Sequence, residues 1–268
     1  MKILFIGCIG ISCLLSVRAQ EVGTYGILSV NGKIVDKQTG RELVVGQQVH
    51  LQTTLSFAIA SDAVVLSPSK VKYRIELPDK YVMSSVLEAP SQEVIRQVKV
   101  RPLLVTGTRG NQSLLTDLSL PSLRSYFGTD TFSVIGNSLK LPVIQNNTKN
   151  PKLLIRYEKN GVKEVKLNNL TLDKAQLAPD GNRIDECFIM LDDGKQLLPV
   201  TQVRLFFIDE NRLFREFEAF FSAMEIERTD TPKNREMLEH YCTDLYGNID
   251  RKNLKNTLET FFSSDPKK

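Results

Sequence analysis

Lys152-Leu-Leu-Ile-Arg-Tyr-Glu-Lys-Asn-Gly-Val-Lys-Glu-Val-Lys-Leu167 is the stretch on which the fold class turns. Leu153, Ile155 and Tyr157 alternate with Lys152, Arg156 and Glu158, the two-residue period of a strand with one wet face. Asn160-Gly161 has the left-handed tolerance that a two-residue hairpin turn needs, so Val162–Leu167 is predicted as the return strand. The pattern then repeats. Cys187–Leu191, the turn dipeptide Asp193-Gly194 and Leu197–Val200 form a second predicted hairpin, and Val203–Ile208 adds a further strand. Residues 151–208 therefore read as a β-domain.

Working towards the N-terminus, residues 20–105 read as another β-domain. Tyr25–Val30, the turn signal Asn31-Gly32 and Lys33–Asp36 are predicted as a hairpin. Leu43–Val45, Val49–Thr53, Ala63–Leu66 and Lys70–Glu76 supply further short strands. Val94, Val98 and Val100 suggest one more, stopped by Pro102. Short strands at regular spacing with Gly and Pro turns indicate a sandwich or a small barrel. Residues 106–150 carry mixed signals and are read as an irregular connecting region, with a short helix near Leu118–Phe127 ended by Gly128.

Beyond 208 the period changes to that of a helix. Asp209 can cap a helix with Leu213, Phe214, Phe217, Phe220, Phe221 and Met224 on one side. Thr231-Pro232 is a cap followed by Pro at the first helical position. Met237, Leu238, Tyr241 and Leu245 then share a face, and Gly247 is a fitting stop. Asp250 opens a third helix with Leu254, Leu258, Phe261 and Phe262. The fold class is α+β: two β-rich domains, sandwich or barrel-like, followed by a C-terminal subdomain of about three helices over 209–268.

Asn31-Gly-Lys, the step Leu43-x-x-Gly46-x-x-Val49, and Ala63-Val-Val-Leu-Ser-Pro68 before an alternating strand resemble the β-rich FecR-type envelope module. The resemblance covers residues 22–78 and implies a β-rich envelope component. It carries over no functional residue.

Residues 1–19 have a short basic start, an apolar run from Ile3 to Val17 and small residues at Val17 and Ala19, the make-up of a secretory signal peptide. The run is short for a membrane span. Gly10-Ile11-Ser12-Cys13 lacks the apolar residue that a lipoprotein signal wants and sits too early. Soluble export to the periplasm or the exterior is expected. Of the formal net charge of +4, Lys2 and Arg18 lie in this leader. The remainder is too mild for nucleic acid, whose recognition needs a concentrated basic face. Asn111, Asn146 and Asn169 stand in N-x-S/T triplets, acceptors only if the chain meets a glycosylation machinery.

Chemistry finds little material. His50 and His240 are the only histidines, and histidine is the usual general base near neutral pH. Cys8 and Cys13 fall in the leader, leaving Cys187 and Cys242. These can form one disulfide in an oxidising compartment, or stay buried as structural thiols. No zinc motif is present, and no cofactor is expected. Asp180, Asp185, Glu186, Asp192 and Asp193 lack the spacing of a calcium loop and are explained more simply by turns. Gly107-Thr-Arg-Gly110 reads as a surface turn.

Lys152, Arg156, Lys159, Lys163 and Lys166 gather on one hairpin. The bland account is a solvated strand face; the sharper one is a patch docking an acidic partner or, peripherally, an anionic membrane surface. The aromatic stripe of the first tail helix is core if buried and a docking face if exposed. The expected function is non-enzymatic: a protein-interaction or structural component of the cell envelope that binds another envelope or extracellular protein. Two alternatives are a secreted hydrolase working through carboxylates and a surface adhesin or ligand-binding module. A hydrolase would show a pocket with convergent acids.

Overall fold

Alternation along the first strands sorts their side chains between two sheets. The computed structural model of the chain describes residues 24–50, 52–59, 61–78, 87–97, 115, 119–141, 152–158, 162–179 and 181–264. The N-terminal part contains β1 (Thr24–Asn31), β2 (Ile34–Asp36), β3 (Arg41–Glu42), β4 (Gln48–His50), β5 (Thr54–Phe57), β6 (Asp62–Leu66), β7 (Lys72–Glu76), β8 (Glu88–Pro90), the single turn α1 (Ser91–Val94) and β9 (Ile95–Gln97). They build a five-stranded sheet, β4-β1-β6-β7-β9, facing a four-stranded one, β3-β2-β5-β8. Between them Ile27, Ala63, Val65 and Ile75 meet Ile34, Leu55 and Phe57 in one buried cluster. This part is a sandwich.

Asn31-Gly32 does not close the hairpin that its sequence suggests. β1 pairs with β4 and β6, whereas β2 pairs with β3 and β5, so the turn carries the chain from one sheet to the other. Gly32 has φ 74°, and a Cβ there would lie 2.3 Å from Ser61 Oγ. That oxygen accepts a hydrogen bond from Lys33 N at 3.0 Å. The glycine serves a tight sheet-to-sheet corner.

β6 reads Asp62-Ala-Val-Val-Leu66, with four successive buried residues, because the sheet is covered on both sides at this strand. Ala63 and Val65 point into the sandwich; Val64 and Leu66 point towards the helices. A β-bulge between Ile27 and Ser29 turns Leu28 and Ser29 to that same helical side, the usual way a bulge re-aims a side chain.

The second unit contains α2 (Leu120–Phe127), β10 (Thr131–Ile135), β11 (Ser138–Lys140), β12 (Lys152–Glu158), β13 (Val162–Lys166), β14 (Thr171–Asp173), the short α3 (Lys174–Leu177), β15 (Arg183–Asp192) and β16 (Leu197–Ile208). The helical tail follows as α4 (Glu210–Met224), α5 (Pro232–Tyr246), the brief β17 (Asn248–Ile249) and α6 (Arg251–Ser263). The main sheet runs β13-β12-β15-β16-β10-β17, and β11 pairs with β14 separately. β12 and β13 pair antiparallel as the opening hairpin predicts. β10, by contrast, lies parallel to both β16 and β17.

Three expectations change here. The segment read as irregular connection supplies β10 and β11 as well as α2, and the tail read as helical supplies β17. Leu197–Val200 and Val203–Ile208 are not separate strands but one 12-residue strand, kept continuous across a bulge. One face of the sheet carries Leu153, Ile155, Cys187, Ile189, Leu205 and Phe207 into a core closed by Leu123, Tyr126 and Phe127 of α2. The other face is divided: its β16-β10-β17 end lies under the helices through Phe206, Ile208, Ile135 and Ile249.

The three tail helices start where their caps predict. Asp209 accepts from Arg212 N at 2.7 Å, Thr231 from Asn234 N at 3.2 Å and Asp250 from Asn253 N at 2.7 Å. Phe217, Phe220 and Phe221 are buried with Phe261, Phe262 and Tyr241, so the aromatic stripe is core. The helices form a layer between the five-stranded sheet and the covered half of the main sheet. Gly247 ends α5 with φ 73°, and a Cβ there would sit 2.7 Å from Thr131 O. Among the described residues no helix is long and apolar enough to cross a membrane.

Candidate functional site: a polar cleft between the sheets

The hairpin patch comes apart in the register. Leu154 faces Lys166, Arg156 faces Glu164, and Tyr157 faces Lys163 across β12 and β13. Residues directly opposite share a face, so Lys163 lies on the side of Tyr157, away from Lys152, Arg156 and Lys166. Those three share their face with Glu158, Glu164 and Asp192, and Arg156 is 3.8 Å from Glu164. The face is mixed in charge rather than basic. Lys159 lies outside the described residues.

Cys187 and Cys242 are both free and buried, so the disulfide is not formed. They belong to different clusters, Cys187 under the main sheet and Cys242 among the helices. Burial pushes the Cys187 thiol up to about 12. Cys242 is raised well above its ordinary value by burial and then by the Glu216 and Glu239 carboxylates. Neither resembles an activated nucleophile. His240 is exposed near Glu236 at 3.8 Å, and His50 stands 3.5 Å from Thr24 Oγ1. Asn169 is exposed with φ 50°; Asn111, Asn146 and Asp180 lie outside the described residues, as do the leader and the Gly107–Gly110 turn.

What the sequence did not announce is a cleft of about 590 Å³ where the N-terminal sandwich, the main sheet and the helices meet. The five-stranded sheet contributes Ser29 and Asn31 from β1, Asp62 and Val64 from β6 and Arg74 from β7. The main sheet contributes Arg183 from β15, Arg204 and Phe206 from β16 and the approach to β10 at Asp130. Arg212 of α4 and the last turn of α5, Thr243–Tyr246, complete it. Four arginines from four elements thus converge; Arg204 and Arg212 are near in sequence, while Arg74 and Arg183 come from distant strands.

Three of the four are already engaged. Arg204 Nη2 donates to Asp130 Oδ1 at 2.5 Å, and Arg183 lies 2.6 Å from Asp185. Arg212 is held from behind: its Nε donates to Glu216 Oε1 at 3.0 Å and its Nη2 to Ser29 Oγ at 3.1 Å. Asp244 is tied to Lys72 at 3.2 Å, with 17% and 12% of their side chains exposed. Arg74 and Asp62 differ: among the described residues neither makes an ion pair or a side-chain hydrogen bond.

Behind the cleft wall Glu216 is fully buried. Oε1 accepts from Ser29 Oγ at 2.8 Å and from Arg212; Oε2 accepts from Tyr241 Oη at 3.2 Å and Tyr246 Oη at 2.5 Å. Four donors satisfy this carboxylate, as a buried charge requires. Burial, and then the Glu216 charge, hold both tyrosines well above their ordinary value. For Arg212 burial opposes the charge, but the neighbouring Tyr246 and Glu216 outweigh it and raise its pKa. Arg212 is therefore a fixed cation at the cleft floor.

Comparison with known protein families, characterised proteins and solved structures finds no match to the chain. The FecR-type resemblance accordingly rests on residues 22–78 alone.

A second hollow, about 390 Å³, lies beside Asp36, Arg41, His50 and Thr53 in the sandwich. Burial alone would raise the Asp36 pKa, but hydrogen bonds from Gln38 N, Thr53 Oγ1 and Thr39 outweigh it and hold the group below its ordinary value. Asp36 closes the turn after β2. That role accounts for its contacts.

Proposed function

We propose that the chain is exported and acts without catalysis, as an interaction component of the cell envelope that captures an acidic segment of a partner protein in the arginine cleft. The observation carrying this reading is the convergence of Arg74, Arg183, Arg204 and Arg212 on one open, polar cavity. Guanidinium groups offer planar forks that match carboxylates two bonds at a time, and clusters of them are a recurring means of reading acidic motifs. Small-molecule pockets are mostly apolar, whereas this wall has few apolar members. A polar chain segment suits it better.

The hydrolase alternative gains little from the same cavity. Asp130 and Asp244 are each bound to a base, and both oxygens of Glu216 are taken. Asp62 is the one cleft carboxylate among the described residues without a bound base, so a pair of carboxylates free to act as acid and base is not assembled by these groups.

The test is a titration of the secreted chain with a fluorescent Glu-rich peptide. Binding should weaken with salt, since exposed charges are screened. The double variant Arg74→Gln/Arg204→Gln should weaken it at least about tenfold, or ~1.4 kcal/mol. No binding, or full affinity in the double variant, would overturn the reading.

A further inference from the structure

The cleft is not uniformly basic, and its charges are segregated. Asp62 and Arg74 stand on adjacent strands with register Asp62↔Glu76 and Val64↔Arg74, so both project to the same side of the sheet as diagonal neighbours. Such positions lie about 7–8 Å apart at the backbone, within reach of an arginine, yet the two form no pair. Both are half-buried. Leaving two opposite charges unmatched in a partly dry site is unfavourable unless something else meets each of them.

The end of α5 is the other place where negative charge gathers. Its last turn lines the same cavity. A helix C-terminus carries about half a negative charge on carbonyls without intrahelical partners. Gly247 N caps the Thr243 carbonyl at 3.1 Å and Ser133 Oγ the Tyr246 carbonyl at 2.6 Å. The turn between them carries the acid Asp244, whose own charge Lys72 balances. The helix end is thus satisfied within the chain, and Asp62 is left as the acid of the cavity that a ligand cation can meet.

Resting on the reading above, we propose that the captured segment is not simply acidic: it carries a lysine or arginine next to its acids, the acids meeting Arg74, Arg204 and Arg212 and the cation meeting Asp62. Asp62 is then the selecting residue. It repels an all-acid ligand and rewards a mixed one, which is how discrimination is obtained by mismatch as much as by attraction.

Two peptides of equal length, one all-Glu and one with a central Lys, are titrated against the full chain and its Asp62→Asn and Arg74→Gln variants, with unchanged melting temperatures as the folding control. The Lys-containing peptide should bind roughly tenfold tighter to the natural chain. Asp62→Asn should erase that preference, and Arg74→Gln should weaken both peptides. If the all-Glu peptide binds as well or better, or the preference survives Asp62→Asn, this inference falls while capture of an acidic segment stands. If neither peptide binds, both fall.

Discussion

The centre of the five-stranded sheet, at β1 and β6, is buried on both sides, and its two sides are buried by different means. On one, Ile27, Ala63, Val65 and Ile75 meet Ile34, Leu55 and Phe57 of the facing sheet through apolar contact. On the other, Leu28, Val64 and Leu66 surround a contact that runs through Ser29, Arg212, Glu216, Tyr241 and Tyr246. Apolar burial has no direction and tolerates small slides. A carboxylate with four donors fixes its neighbours to within a hydrogen-bond length. The first interface therefore supplies stability inside one unit. The second sets how two units sit against each other, and hence the shape of the cleft beside it.

Glu216→Ala should break the comparison most sharply. It removes the countercharge of Arg212 and an acceptor of the Ser29, Tyr241 and Tyr246 hydroxyls, and the expected loss is about 3–5 kcal/mol by denaturant unfolding. A loss below ~1 kcal/mol would mean that the polar contact does not order the interface. Leu55→Ala, a cavity in the apolar side, should cost somewhat less, about 3 kcal/mol, and should leave peptide affinity at the cleft unchanged. If affinity changed as much as stability, the two sides would not be separable.

The smallest effect at neutral pH, and the most specific, is an alkaline one. Tyr241 and Tyr246 are raised in the folded chain by burial first and then by Glu216, while in the unfolded chain they ionise near the ordinary value of 10.0. Their contribution is therefore complete below pH 10 and is lost as pH rises above it. The melting temperature should fall above that point, and less steeply in Tyr246→Phe than in the natural chain. An identical slope would sink the assignment.

Much of the architecture is written in local signals. The caps at Asp209, Thr231 and Asp250 are read correctly because a cap bonds its own next turn. The hairpin at β12 and β13 follows from alternation and from one turn dipeptide. Asn31-Gly32 misleads because the same dipeptide serves any left-handed corner, and Ser61, far along the chain, decides where this one leads. The hairpin cations lie together in sequence but are divided by an alternation of period two and balanced by acids on their own face. Of the cleft arginines only Arg204 and Arg212 are near one another in sequence, and they stand on a strand and the helix that follows it; Arg74 and Arg183 come from distant strands. Glu216 reads as one more polar position on an amphipathic helix; only the bulge that turns Ser29 towards it reveals the buried contact.

β10 takes both of its neighbours from later in the chain, β16 and then β17. Phe132 and Val134 consequently wait for residues 204–208, and the sheet edge for residues 248–249, before they are enclosed. Contacts so distant in sequence form slowly, because a long loop must close before any of them is made. For a chain proposed to be exported, this order has a use. The N-terminal sandwich finds its strand partners within its own residues, but β10 cannot be enclosed until almost the whole length has been threaded through, so the topology delays completion of the second unit until delivery is nearly complete.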